Sequence, residues 1–201
     1  RDVQEVLPYF GPVQPGQAVQ AVPGSGQDVP VWILGSSLFG AQLAAALGLP
    51  YAFASHFAPD HLDAALSLYR DRFQPSDALA KPYVMAAINA IAADTDEEAA
   101  LLASSMDQSF VRLRSGNPGK LPPPVPGYRD TLPAPALAML EHMRQVSAIG
   151  SVATVRQRLA AFQRRTRADE LIVSGSTFDP ALRRRSLELT MQAAESLAEP
   201  A

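Results

Sequence analysis

WILGSSLFGAQLAAALGLP, residues 32–50, sets an apolar run against an alanine-rich stretch with Gly-Ser-Ser between them. Val31–Leu34 has strand length and no polar alternation, the pattern of a strand buried on both faces of a parallel sheet. Leu38–Leu47 reads as a helix from its alanine and leucine content, stopped by Gly48 and Pro50. A strand that runs through Gly35, Ser36 and Ser37 into a helix leaves backbone N–H groups and hydroxyls open at the helix start. That arrangement suits an anion, most often phosphate. The same residues also fit a plain turn in which Ser36 or Ser37 caps the helix. The stretch is neither a GxGxxG nor a Walker A fingerprint.

The strand–helix pattern recurs along the chain. Tyr51–Ala54 is a second strand, and Pro59 opens a helix to about Arg72. Tyr83–Ala93, YVMAAINAIAA, is a long apolar strand. The helix that follows carries an Asp or Thr cap and three acids in its first turn. Residues 114–135 are proline-rich and patternless, a loop longer than compact domains usually keep without a use. Pro135–Val146 and the stretch from Ser151 read as helices. ADELIVSG (168–175) is a strand, and Pro180 opens a terminal helix through Ala198. Four strand–helix units predict a parallel sheet with helices outside it. They would close as an open doubly wound sheet or as half of an eight-fold barrel; a complete barrel needs roughly 250 residues. The chain is expected to form a single domain over 1–201. It opens on Arg1 inside a helical pattern, which suggests a fragment with its earlier strands upstream.

Composition narrows the function classes. Of 201 residues, 47% are hydrophobic and 18% charged, with a formal net charge of -3. This is a globular composition without the basic footprint of a nucleic-acid partner. No apolar run is long enough for a membrane span. The absence of cysteine excludes disulfides and thiolate chemistry and fits a cytoplasmic protein. Three scattered histidines lack metal-ligand spacing, so no metal is expected.

PVWILGSS, AQLAAALGLPYAFASHFAP, PYVMAAINAIAADTDEEA, RLRSGNPGKLPPPV and ADELIVSGSTFDPALRRRSLEL together resemble the bacterial-luciferase-like flavin-dependent monooxygenases, most of all the single-chain oxidoreductases among them. The likeness runs in order over nearly the whole chain. It implies an α/β fold, the C-terminal half of a (β/α)8 TIM barrel. It implies reduced FMN bound at the C-terminal ends of the strands, and O2 used to oxidise a small organic substrate. Gly35, Ser36, Ser37, Leu38, Phe39 and Gly40 would then hold the flavin phosphate. Luciferase itself has a glutamate in place of Ser36 and a threonine in place of Gly40, so Ser37 carries the transfer furthest. The resemblance further implies a separate flavin reductase as partner and a homo-oligomer at full length. It places the main catalytic residues upstream of this chain. An F420-dependent oxidoreductase on the same barrel, working by hydride transfer, is the alternative; a non-catalytic fragment is another.

Other residues have two readings each. His56, just past a strand end in FASHFAP, is the catalytic candidate as a hydrogen-bond donor in the flavin or substrate cavity; otherwise it bonds local backbone. Asn89, inside an apolar strand, needs partners, either a ligand or a neighbouring strand. Residues 114–133 are a mobile lid over the flavin or a packed surface loop. Gly150-Ser151 opens a second helix and offers a second phosphate site or a simple cap. His61 and His142 read as surface or packing residues. The arginines at 164–167 and 183–185 read as solvated faces, and Leu182, Leu187, Leu189 and Met191 as a packed stripe.

Overall fold

The computed structural model describes residues 2–195 and 197. In chain order the elements are α1 (Asp2–Val6), β1 (Ile33–Gly35), α2 (Leu38–Leu47), β2 (Tyr51–Phe53), α3 (Leu62–Arg72), β3 (Val84–Ala93) and α4 (Asp96–Arg114). Then follow α5 (Ala134–Arg144), β4 (Ser147–Ser151), α6 (Val152–Thr166), β5 (Glu170–Ser174) and α7 (Pro180–Glu195). All strand pairings are parallel, β1 with β2, β2 with β3, and β3 with both β4 and β5. Helices join the strands as the alternating pattern requires. Ser196 and Ala198, at the end of the expected terminal helix, and Arg1 lie outside the described residues.

The sequence pattern counts four strands among these residues, whereas the fold has five. β4, SAIGS, was missed because two serines and a glycine mask its β character. Its place comes from β3, which is ten residues long against three in β2. Tyr51 N–H donates to the Tyr83 carbonyl and Asn89 N–H to the Val146 carbonyl. Asn89 and Tyr83, the residue just before β3, are both odd-numbered, hence on one edge of that strand. Asp169 N–H reaches the Val84 carbonyl on the opposite edge. β4 therefore sits beyond the end of β2 on the same edge, pairing Asn89–Ala93.

The two faces of the sheet are covered unequally. Ile33, Tyr51 and Val84 stand in register and are buried with Phe53, Leu62, Leu66, Tyr69 and Leu159 under α2, α3, α6 and α7. Each such large side chain contributes about 1.5–3 kcal/mol by leaving water. Alternate residues face the other way. There α4 covers only the upper part, where Ala99, Leu102 and Ala103 meet Ile91 and Ala93. Lower down, Leu34 remains 72% exposed and Ile172 51%. The expectation that Val31–Leu34 is buried on both faces is thus corrected; helices cover only the Ile33 side.

The terminal helix corrects a second expectation. α7 buries Ser186, Leu189, Thr190 and Ala193, while Leu182, Leu187 and Met191 are exposed. A 100° step per residue puts 186, 189, 190 and 193 on one face, which excludes the other apolar positions. Expected helix stops do hold: Gly48 ends α2 in the left-handed region, where any side chain would also meet the Gln74 carbonyl at 2.5 Å. Gly150, at φ +150°, has room for no side chain between Asp96 and Thr154.

Candidate functional site

Ser37 occupies the N-cap position of α2 with extended backbone, φ -143° and ψ 168°, yet its hydroxyl caps nothing. Ser36, Ser37, Leu38 and Phe39 are exposed, and Gly40 is buried. The first amides of a helix have no partner within it. Those of Leu38, Phe39 and Gly40 therefore stand open beside two free hydroxyls, at the positive end of the α2 dipole. The turn is pressed tight: a methyl group on Gly40 would lie 3.3 Å from the Gly35 Cα and 3.5 Å from the Tyr51 ring. The Tyr51 hydroxyl donates to the Ser37 carbonyl at 3.3 Å. Burial pushes its pKa up to about 12, so it remains a donor at any ordinary pH.

A cavity of about 600 Å³ opens past the C-terminal ends of β2 and β5, at the middle of β3 and the start of β4, beneath α4 and α5. Phe57, Met106, Phe110, Leu113, Leu140 and Met143 form its apolar wall. Its floor is polar. Asn89 lines it with Ser147 and Ser174, its register partners on the two flanking strands. All three share one face, about 4.8 Å from strand to strand. Among the described residues the Asn89 side-chain amide makes no hydrogen bond, and the buried Ser147 hydroxyl has no partner. His56 lines the same cavity, past Ser55, whose hydroxyl donates to the Ala87 carbonyl. The His56 ring centroid lies 4.2 Å from that of Phe57, and its buried Nδ1 lacks a partner. Burial holds the imidazole below its ordinary 6.5, hence uncharged at neutral pH.

One ion pair closes the cavity on the helix side. Arg144 Nε and Nη2 donate to the two Asp107 oxygens at 3.1 and 2.6 Å, a bidentate tie between α5 and α4. Burial pushes the Asp107 carboxyl up, against the pull of the guanidinium. Sequence reasoning missed this pair. The available signal was an acid at 107 in helical step with the buried Ala99 and Ala103. Ser147, Ser174 and Ser176 were also missed; ladder register through Asn89 unites the first two, and Ser176 follows β5 into the cavity.

The expected residues separate into two places. His56 and Asn89 meet in the cavity, while Gly35–Gly40 do not line it. The α2 turn lies two strands from β3 along the same C-terminal edge, about 10 Å sideways. His142 pairs with Asp60 at 2.9 Å on the surface, and His61 is exposed. Ser151 caps α6 by accepting from Thr154 N–H at 3.4 Å. In the 114–133 segment, the Gln108 amide donates to the Pro123 carbonyl at 2.9 Å, and Val125 N–H donates to the Ser104 hydroxyl at 2.8 Å. Both bonds tie the segment to α4.

Comparison with known proteins fits this architecture. The family profile described as "Luciferase-like monooxygenase" matches residues 4–169. A protein of Escherichia coli (strain K12) named "Luciferase-like monooxygenase" is 48% identical over 197 residues, covering 98% of this chain and 59% of its own length. "Uncharacterized protein YvbT" of Bacillus subtilis (strain 168) is 43% identical over 188 residues, or 93% of this chain and 56% of its own. Apo-MsnO8 superposes with TM-score 0.79 at 26% identity, covering 96% of this chain and 58% of that one. The chain thus spans somewhat under three fifths of the length of these relatives, and its parallel sheet corresponds to part of their barrel.

Proposed function

Because the chain belongs to the luciferase-like monooxygenase family, we propose that it forms part of a flavin-dependent oxidoreductase that uses reduced FMN and O2 to oxidise a small organic molecule. The observation that carries this reading is the α2 turn. Three open amides, two uncapped hydroxyls and a tight glycine pair fit a terminal phosphate and leave it room. Gly35, Ser36, Ser37, Leu38, Phe39 and Gly40 bind that phosphate, with Tyr51 fixing the Ser37 carbonyl from behind. When bound, reduced FMN supplies the electrons that activate oxygen.

The remaining roles belong to the cavity. An uncharged His56 offers a hydrogen bond without a competing positive charge, and Asn89 offers both a donor and an acceptor. The apolar wall takes the body of the substrate and keeps water away. Residues 114–133 act as the lid of this single domain. A 3,6-diketocamphane monooxygenase solved with FMN and an F420-dependent tetrahydromethanopterin reductase share the fold, at TM-scores 0.57 and 0.59. Oxygen uptake with reduced FMN, supplied by a reductase, separates the monooxygenase from the hydride-transfer alternative.

Titration with FMN and riboflavin tests the phosphate site directly. FMN is expected to bind at least about tenfold more tightly, the worth of one charge-assisted hydrogen bond. Leu38→Pro removes a single amide at the first helical position, which proline tolerates after an extended Ser37. It should erase much of the FMN advantage and leave riboflavin binding alone. Equal affinity for the two ligands in the unaltered chain would overturn the reading.

A further inference from the structure

A second, polar cavity of about 270 Å³ lies behind the main one, enclosed by α4, α5, β4, α6 and the 3₁₀ turn Tyr128–Thr131. Arg129, Arg144 and Arg158 line it together with Gln145 and Ser147, facing Asp96 and Glu141. Its acceptors are largely engaged. Asp96 accepts from the Ser151 amide at 2.6 Å and the Thr154 hydroxyl at 3.1 Å. Glu141 accepts from Arg129 Nη2 at 3.2 Å, and both oxygens of the adjoining Asp107 are taken by Arg144.

Its donors are not. The exposed Arg158 is drawn toward Asp96 but makes no hydrogen bond or ion pair among the described residues, and Arg129 Nε is buried without an acceptor. Arg144 keeps Nη1 free after its bidentate tie. Ser147, only 5% exposed, has a hydroxyl with no partner among the described residues. Buried polar groups such as Arg129 Nε and the Ser147 hydroxyl are seldom left so in native proteins. Burial above all, and then the repulsion of Arg129 and Arg158, disfavour the protonated Arg144, against the attraction of Asp107. An anion between them would relieve that repulsion and satisfy the donors.

We propose that this cavity binds a phosphate-class oxyanion, held by Arg158, Arg129, Arg144 and the Ser147 hydroxyl. Donors arriving from four elements suit a tetrahedral group with several acceptor oxygens better than a flat carboxylate. The site is independent of the flavin reading. None of Gly35–Gly40 lines it, and it is built wholly from described residues of this chain.

Amide-resolved NMR titration of the full chain at constant ionic strength tests it, with orthophosphate, glycerol 3-phosphate and acetate as probes. Orthophosphate should shift Gln145, Ser147 and Arg158. Arg158→Gln should weaken those shifts at least about tenfold, or ~1.4 kcal/mol, while Ser36–Gly40 respond as before. Arg158 is exposed, so the substitution leaves the core intact. Leu38→Pro should have the opposite pattern. Tighter glycerol 3-phosphate binding identifies a phosphomonoester as the ligand, and weaker binding identifies free phosphate; both support the site. Shifts confined to Ser36–Gly40, no shift at millimolar phosphate, or equal shifts with acetate would overturn it.

Discussion

The α2 turn and the cavity under α4 and α5 are built on opposite principles. The turn is six consecutive residues, Gly35–Gly40, whose donors are backbone amides fixed by one helix start. The cavity draws Asn89, Asp107, Arg144, Ser147 and Ser174 from five elements spread over 86 positions of chain. A local site survives changes of side chain and fails when its backbone moves. A distributed site depends on long-range packing and fails when one partner is removed. The contrast yields an ordered set of expectations.

The largest effect belongs to the distributed site. Asp107→Ala leaves the half-buried Arg144 charge without its partner, and such changes cost about 3–5 kcal/mol. Urea denaturation should register that loss. Asp107→Asn combined with Arg144→Met should recover a good part of it, because no unpaired charge then remains. If the single substitution were neutral, the cavity would not depend on the α4–α5 tie.

Gly40→Val comes next. Its added atoms press on the Gly35 Cα and the Tyr51 ring, and overpacking of this kind costs about 1–3 kcal/mol. It should weaken FMN binding more than riboflavin binding, because the displaced backbone carries the phosphate donors. Equal weakening of both would show that the turn and the cavity are not separable. Tyr51→Phe is milder. Loss of one neutral hydrogen bond costs about 1 kcal/mol, and the FMN preference should fall while the cavity residues keep their NMR shifts.

The smallest effect is the titration of His56. Its folded pKa lies below the ordinary 6.5, so the unfolded chain binds more protons between the two values. Stability should therefore be complete above about pH 6.5 and decline as pH falls toward the folded value. His56→Gln should flatten that part of the stability profile. An unchanged slope would mean that His56 is not desolvated by the cavity.

The same contrast explains what could be read in advance. Leu38–Leu47 was legible to the residue because composition, Gly48 and Pro50 all act within a few positions. The Thr95 cap, which accepts from Glu98 N–H at 3.1 Å, was equally local. β4 was not legible, since SAIGS becomes a strand only where the long β3 offers it a free edge. The burial of α7 failed for a related reason: apolar residues mark a helix, but its neighbours decide which of them face inward.

The amino-acid sequence by itself determined the alternation of strands and helices, the α2 turn and its open donors, and the absence of cysteine from this chain. These follow from propensities, caps and residue counts, which act over one or two turns of chain. Tertiary structure alone decided which face of the sheet is covered, and it brought His56 beside Asn89. It also made the Asp107–Arg144 tie and gathered three arginines around Ser147. Each of those depends on strand register and helix packing between residues far apart in sequence, where no local pattern carries the information.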